Sequence, residues 1–319
     1  MFHYDRGLML TKAGLAVDIP RRQKCAFVSH AHNDHMARHE LALCTPTTGK
    51  LYQQRLGKRL VREMKFGEPL EWGGLRLTAY PSGHCWGGAM LLAEDGERSL
   101  LYTGDFKLEP SLTAEPAQLP QADLLVMEST YGEPQYRRPP REQVVEMLLD
   151  AVRGALRRGQ QPVVLAYALG KAQEVTKILT TAGIPVLQHR TVHALSLIYE
   201  QQQMPLGNFQ LYPGRYLEGH AVVMPPRFHA ADAPPGLKRP YWIAATGWAA
   251  VAGTRARWCV DAVIPLSDHA DYDELLTAAQ QVAPREIYCT HGPISFVERL
   301  RDLGHNAYRL ENGRQLRLF

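Results

Sequence analysis

The chain has little cysteine: five in 319 residues, at Cys25, Cys44, Cys85, Cys259 and Cys289. They are odd in number, scattered, and form no Cys-x-x-Cys pair. A disulfide framework and a thiolate zinc cage are therefore excluded, and a reducing cytoplasm is the expected compartment. Long apolar runs are missing as well. The longest, around 241–252, is broken by Thr246 and Gly247, short of the ~18–20 residues that span a bilayer, so no membrane association is expected. The start, Met1-Phe2-His3-Tyr4-Asp5-Arg6, lacks the basic head and apolar stretch of a secretory signal. Nor is charge of one sign in large excess: 36 Lys plus Arg against 32 Asp plus Glu leave a net +4. That balance admits a polyanionic partner without requiring one. What the chain does have is apolar material for a core, at 45% of residues, and 13 histidines. Histidine is the commonest metal ligand and the usual acid–base group near neutral pH.

The length suggests two domains, or one core with a large insert. In the first part, short apolar strands each end in a polar residue. Ala13–Ile19 carries Asp18 near its end, and Cys25–Ser29 runs into a histidine cluster. Leu75–Tyr80 precedes His84, Ser99–Thr103 precedes Asp105, and Asp123–Met127 precedes Glu128. Sites at strand ends are typical of α/β folds, in which a rigid sheet positions functional loops. After Tyr131 the pattern changes. Arg137-Arg138-Pro139-Pro140-Arg141 reads as a linker, followed by an amphipathic helix over about 142–158. A strand over 162–168, the turn Leu169-Gly170 and a helix from Lys171 then form a βα unit. The strand-then-site pattern returns with Ala262–Leu266 before His269 and Glu286–Thr290 before His291. The expected organisation is one domain in two parts, 1–136 and 263–319, interrupted by an α/β insert over 137–262.

The strongest local signal is His30-Ala31-His32-Asn33-Asp34-His35. Imidazole nitrogen and carboxylate oxygen are the donor set that suits zinc and neighbouring ions. In an extended segment the alternate residues His30 and His32 share one side. Asp34 and His35, where the chain is expected to enter a helix, can face a second point nearby. We expect His30, His32, His84 and Asp105 around one ion, and Asp34, His35, Asp105 and His291 around the other, with Asp105 bridging. Asp18 is expected to orient a ligand histidine. The ligands suit Zn²⁺, and Mn²⁺ is the alternative.

The hexapeptide, the later His84 and the Gly104-Asp105 turn resemble, in order, the metal-binding motifs of the metallo-β-lactamase superfamily. Three further segments resemble the motifs of its β-CASP nucleases: Met127-Glu128-Ser129-Thr130-Tyr131-Gly132, Ser267-Asp268-His269-Ala270-Asp271 and Thr290-His291-Gly292. The resemblance implies a four-layer αββα sandwich interrupted by an inserted α/β β-CASP domain, and two-metal hydrolysis of nucleic acid. The segments 166–173 and 265–271 are similar to those of bacterial DNA ligase-associated exonucleases. That similarity implies DNA rather than RNA, attack from 5′ ends in DNA repair, and a functional association with DNA ligase. His291, absent from many eukaryotic DNA-acting members, keeps a ribonuclease as the alternative.

In such a reaction Asp34 is expected to orient the attacking water as well as bind metal. His269, outside both ligand sets, is the candidate proton donor to the leaving oxygen, and Glu128 is expected to fix its ring. Lys171, at a helix start after a glycine, is expected to form an anion pocket for a terminal phosphate, with Ser129 or Thr130 adding hydroxyls.

Overall fold

A computed structural model describes residues 2–4, 7–226 and 233–310. The final nine positions of the expected carboxy-terminal segment lie outside the described residues. The chain is mixed α/β with three sheets, and it divides into two compact units. Unit 1 comprises 1–110, 114–135 and 269–319; unit 2 comprises 111–113 and 136–268.

Unit 1 holds two sheets. The first has six strands in chain order: Phe2–Tyr4, Leu8–Leu10, Leu15–Val17, Cys25–Phe27, Leu41–Cys44 and Leu60–Glu63. Its last four strands run parallel. The second has seven, in the spatial order Ala307–Arg309, Glu286–Thr290, Leu124–Glu128, Ser99–Tyr102, Ala89–Glu94, Leu75–Pro81 and Leu70–Trp72. Alternation decides which side chains are shared. Leu100, Tyr102, Leu124, Val126 and Tyr288 join Leu10, Leu15, Phe27 and Leu43 in one buried cluster between the sheets. Their neighbours Leu101, Leu125, Met127, Ile287 and Cys289 point to the opposite face. There they meet Leu275, Val282, Phe296 and Leu300 from the helices Tyr272–Val282 and Ile294–Asp302. The first of these helices is closed by a capping box between Asp271 and Glu274, which satisfies two of the amide groups exposed at a helix start.

Two expectations are corrected here. No helix begins at Asp34 or His35. Residues 33–35 form a turn, and the next helix is Pro46–Leu56, capped by Thr45. The expected boundary at 262 falls inside unit 2. The strand Ala262–Ile264 pairs with Pro240–Ala245 at the edge of the third sheet, so residues as far as Asp268 belong to unit 2.

Unit 2 is built on that third sheet, whose six strands are all parallel. The central strands Gln161–Leu165 and Ala221–Met224 are buried throughout, as expected of a parallel sheet covered on both faces. Helices Arg141–Arg157 and Lys171–Thr181 pack Val144, Leu148, Val152, Val175 and Leu179 into its core. The helix Lys171–Thr181 starts after Gly170, which has φ +82°.

Lys171 is not the open anion donor expected at this helix start. Its residue is 2% exposed, its ammonium lies 2.9 Å from an Asp268 carboxylate oxygen, and it sits over the Tyr167 ring. One turn on, buried Glu174 pairs with Arg141 at 2.7 Å and accepts from Ser111 Oγ at 2.9 Å. Helix-start rules describe local backbone amides, whereas a partner 97 positions away in the chain captured this side chain.

A buried pair that loses one member retains the desolvation cost of the other. Lys171→Ala is therefore expected to destabilise the protein by about 3–5 kcal/mol in urea unfolding, while Lys171→Met combined with Asp268→Leu recovers most of that loss. A single-variant effect below about 1 kcal/mol, the range of exposed pairs, contradicts the buried-pair account.

Candidate metal centre

The centre is assembled entirely within unit 1, from loops that follow strands. The strand Cys25–Phe27 delivers Ser29 and His30, Leu75–Pro81 delivers His84, and Ser99–Tyr102 delivers Asp105. Gly104 makes the last of these turns possible. It has φ +55°, and a Cβ there would lie 2.9 Å from Ser29 Cβ and Oγ, so only glycine lets the two loops approach.

His30, His32, His84 and Asp105 each offer a donor atom, all within 4.8 Å of one another. His30 Nε2 is 2.9 Å from His32 Nδ1, which is 3.2 Å from His84 Nε2. Asp105 Oδ2 sits at the hub: 3.4 Å from His30 Nε2, 3.2 Å from His35 Nε2, 4.0 Å from His84 Nε2 and 3.9 Å from His269 Nε2. The donor set fits a cation. A tetrahedral ion bound to imidazoles at 2.0–2.1 Å separates its nitrogens by about 3.3 Å, close to the 3.2 Å between His32 and His84.

The electrostatics follow from burial. Desolvation, reinforced by His35, His84 and His32, holds His30 well below the ordinary imidazole range, which favours the neutral ring with one nitrogen lone pair available. At His35 burial also acts downward, but the carboxylates of Asp105 and Asp18 outweigh it and hold the ring well above that range. For Asp105 itself, burial pushes up, and His35 and His269 hold the carboxyl well below the usual carboxylate range.

Asp18 lies behind this cluster. Its Oδ2 is 2.8 Å from His35 Nδ1 and accepts from Tyr102 OH at 2.9 Å; the Ser29 hydroxyl also donates to it. The Ser29 amide donates to Oδ1 at 2.8 Å. Burial and the charge of Asp18 hold the Tyr102 hydroxyl well above its ordinary value, so it remains a donor. Ser29 and Tyr102 were not singled out in the sequence. Their only signal is position: Ser29 immediately precedes the hexapeptide, and Tyr102 stands three residues before Asp105.

The second expected ligand set is gathered less tightly. Asp34, with a 77% exposed side chain, has an oxygen 3.8 Å from His35 Nε2. His291, at φ +55°, places its ring centroid 6.3 Å from that of His35. Neither belongs to the tight donor groups found among the described residues. His269 and Glu128 are brought together: Nδ1 lies 2.9 and 3.1 Å from the two carboxylate oxygens. Glu128 also accepts from the Phe106 amide at 3.1 Å and from Thr130 Oγ1 at 2.6 Å. The hydroxyls expected to serve phosphate are thus committed elsewhere, Thr130 to Glu128 and buried Ser129 to the Thr290 carbonyl at 3.0 Å.

Strand-end loops carrying buried imidazoles around one shared carboxylate define a metal-binding hydrolase fold. Residues 260–312 match the family described as Zn-dependent metallo-hydrolase RNA specificity domain. Over 319 residues, 99% of its length, the chain is 36% identical to a protein of Opitutus terrae named probable DNA ligase. Over 223 residues, 61% of its length, it is 27% identical to a ribonuclease of Thermus thermophilus. The chain spans 31% of the first relative and 50% of the second. A crystal structure of a protein of unknown function from Enterococcus faecalis V583 superposes with a TM-score of 0.63 at 14% identity. That superposition covers 91% of this chain and 80% of the other, a likeness of fold alone. These similarities support the resemblance to the metallo-β-lactamase superfamily and, within it, to the β-CASP nucleases. Among the described residues no helix is long and apolar enough to cross a membrane.

One further residue holds the His84 loop. Gly87 accepts from Thr45 Oγ1 at 2.6 Å and Thr48 Oγ1 at 2.8 Å, and its amide donates to the Glu115 carboxylate at 2.9 and 3.2 Å. Burial pushes the Glu115 carboxyl up to about 7 from an ordinary 4.5. The folded state therefore holds this proton more tightly than the unfolded state. Its contribution to stability is fully present below pH 4.5 and is lost as pH rises through about 7. Glu115→Gln is expected to gain on the parent over that window, by on the order of 3 kcal/mol at pH 8, with the two converging in acid. Urea midpoints from pH 4 to 8.5 that differ by a constant amount contradict this.

Proposed function

We propose that the chain is a two-metal phosphodiesterase that degrades nucleic acid, a cytoplasmic DNA exonuclease acting from 5′ ends in DNA repair. In this reading unit 1 is the four-layer αββα sandwich and unit 2 the inserted β-CASP domain. The observation that carries it is a single carboxylate oxygen, Asp105 Oδ2, within 3.2–4.0 Å of nitrogens from His30, His35, His84 and His269.

His30, His32, His84 and Asp105 would hold one divalent ion, and Asp34, His35, Asp105 and His291 the other, zinc or manganese. Such a pair neutralises charge on a phosphodiester and lowers the pKa of water. The remaining work falls to side chains. Asp18 keeps the His35 ring turned toward Asp105. Asp34, the exposed carboxylate of the set, orients the attacking water. A carboxylate only accepts, so the Glu128 contact leaves a hydrogen on His269 Nδ1 and turns Nε2 toward Asp105. Protonated His269 donates from Nε2 to the leaving oxygen.

DNA is favoured because a relative matched along nearly this whole chain is named probable DNA ligase; a functional association with a ligase is part of the proposal. A ribonuclease is the second reading, favoured by the RNA specificity match over 260–312 and by the ribonuclease relative.

End-labelled single-stranded DNA and RNA, each with a 5′-phosphate or 5′-hydroxyl, should be digested in Zn²⁺, Mn²⁺ and Mg²⁺. The expected result is shortening of DNA from its 5′ end, abolished by His84→Ala and by Asp34→Asn in protein that still folds. Faster turnover of RNA replaces the first reading with the second, and full cleavage by either variant removes the metal assignment.

His269→Ala is expected to slow cleavage of an ordinary alkoxide leaving group by about 10²–10⁴-fold, the usual contribution of a general acid. An activated aryl phosphate needs no such proton and should be slowed far less. Equal slowing of both substrates removes His269 from the acid role.

A further inference from the structure

A second concentration of charge lies in unit 1, at the other end of the first sheet. Cys25 pairs with Leu41 and Leu41 with Leu60, so three adjacent parallel strands start in one row. The metal loop leaves the carboxy-terminal end of Cys25–Phe27. Residues that precede the opposite end of these strands, Arg22, Arg38, Glu40, Lys58 and Arg59, line a cavity of about 600 Å³. The three residues of that strand, roughly 10 Å at 3.3 Å per residue, separate the two ends.

The cavity is unbalanced in charge. Its one carboxylate, Glu40, pairs with Arg22 at 3.3 Å. Among the described residues no carboxylate lies within ion-pair distance of Arg38, Lys58 or Arg59. Arg59 Nε is buried without a hydrogen-bond acceptor, an unfavourable state for a polar group. The Arg59 carbonyl accepts from Gln53 Nε2 at 2.8 Å, which ties the short loop after the helix Pro46–Leu56. Apolar lining is confined to Leu60. The ring of His39 is buried and stacked on Tyr52. A base entering the cavity would meet no exposed aromatic ring, whereas phosphates would meet cations.

We propose that this cavity binds consecutive phosphates of a nucleic-acid backbone, independently of sequence, at a site separate from the metal centre. The proposal rests on the nucleic-acid reading above. Its ligand chemistry is shared with small polyanions, and pyrophosphate serves as the competing probe.

The test is anisotropy of a labelled single-stranded phosphorothioate oligonucleotide, which resists cleavage, bound to the full chain over a range of salt. Arg38→Ala with Lys58→Ala should weaken binding about tenfold at low salt. It should also lower the slope of log affinity against log salt by about 1.4, at about 0.7 per cation on a single strand. Glu40→Gln should tighten binding a few-fold. Neither change should alter hydrolysis of bis(p-nitrophenyl) phosphate, which is too small to occupy both ends of the strand. Unchanged affinity and slope in the double variant overturn the proposal. So does loss of pyrophosphate binding by calorimetry with oligonucleotide affinity retained, which makes the cavity a small-anion site. If affinity falls as expected while no nucleic acid is turned over by the parent, the nuclease reading fails and the cavity assignment stands.

Discussion

The centre of unit 1 depends on how a buried carboxylate is kept charged. Asp105 is 6% exposed and faces nitrogens of four imidazoles. Burial alone would neutralise it; the histidines reverse that outcome and concentrate positive potential and lone pairs around one oxygen. Imidazole nitrogens facing each other at 2.9 and 3.2 Å share a hydrogen bond where one of the two carries a hydrogen. A cation among them would instead be met by a lone pair from each ring. The surrounding features preserve this convergence. Gly104 admits the close approach of two loops, Asp18 fixes the far side of His35, and Tyr102 supplies Asp18 with a neutral donor.

What the sequence disclosed about this centre was the part encoded locally. The hexapeptide places three imidazoles and a carboxylate on a loop after a strand, and strand ends are visible as apolar runs stopping at polar residues. That is why His84 and Asp105 could be set beside His30 without a structure. The observed strands Leu75–Pro81, Ser99–Tyr102 and Glu286–Thr290 lie within a residue or so of the apolar runs that marked them. Glu128 is the last residue of its strand rather than the first beyond it, a small shift that leaves its carboxylate buried.

The misreadings share one cause: a distant partner overrode a local rule. Lys171 follows a glycine at a helix start, where free amides and an ammonium read as an anion site, but Asp268 pairs with it in the interior. The turn at 33–35 carries no helix because its side chains and the Ala31 carbonyl are engaged elsewhere; Arg55 donates to that carbonyl and, at 2.9 Å, to Asn33 Oδ1. The segment after Val263 stays with unit 2 because strand pairing, invisible in one sequence, ties Ala262–Ile264 to Pro240–Ala245. Arg22, Arg38, Lys58 and Arg59 form no run. Only the parallel register of three strands brings their loops to one end, so composition, at net +4, averages the cluster away.

Parallel strands impose that division of labour. Every strand in the row begins at one end and finishes at the other, so loops of one kind collect on each side. One side of the first sheet collects lone-pair donors that attract cations, and the other collects cations that attract phosphate. A strand of three residues, roughly 10 Å, exceeds the Debye length of about 8 Å at physiological salt. Exposed charge at the cavity is damped through solvent over that distance. The imidazoles at 3.2–4.0 Å dominate the potential at Asp105. Affinity and chemistry can vary separately on one short sheet, because the spacing between them is set by the backbone rather than by any side chain.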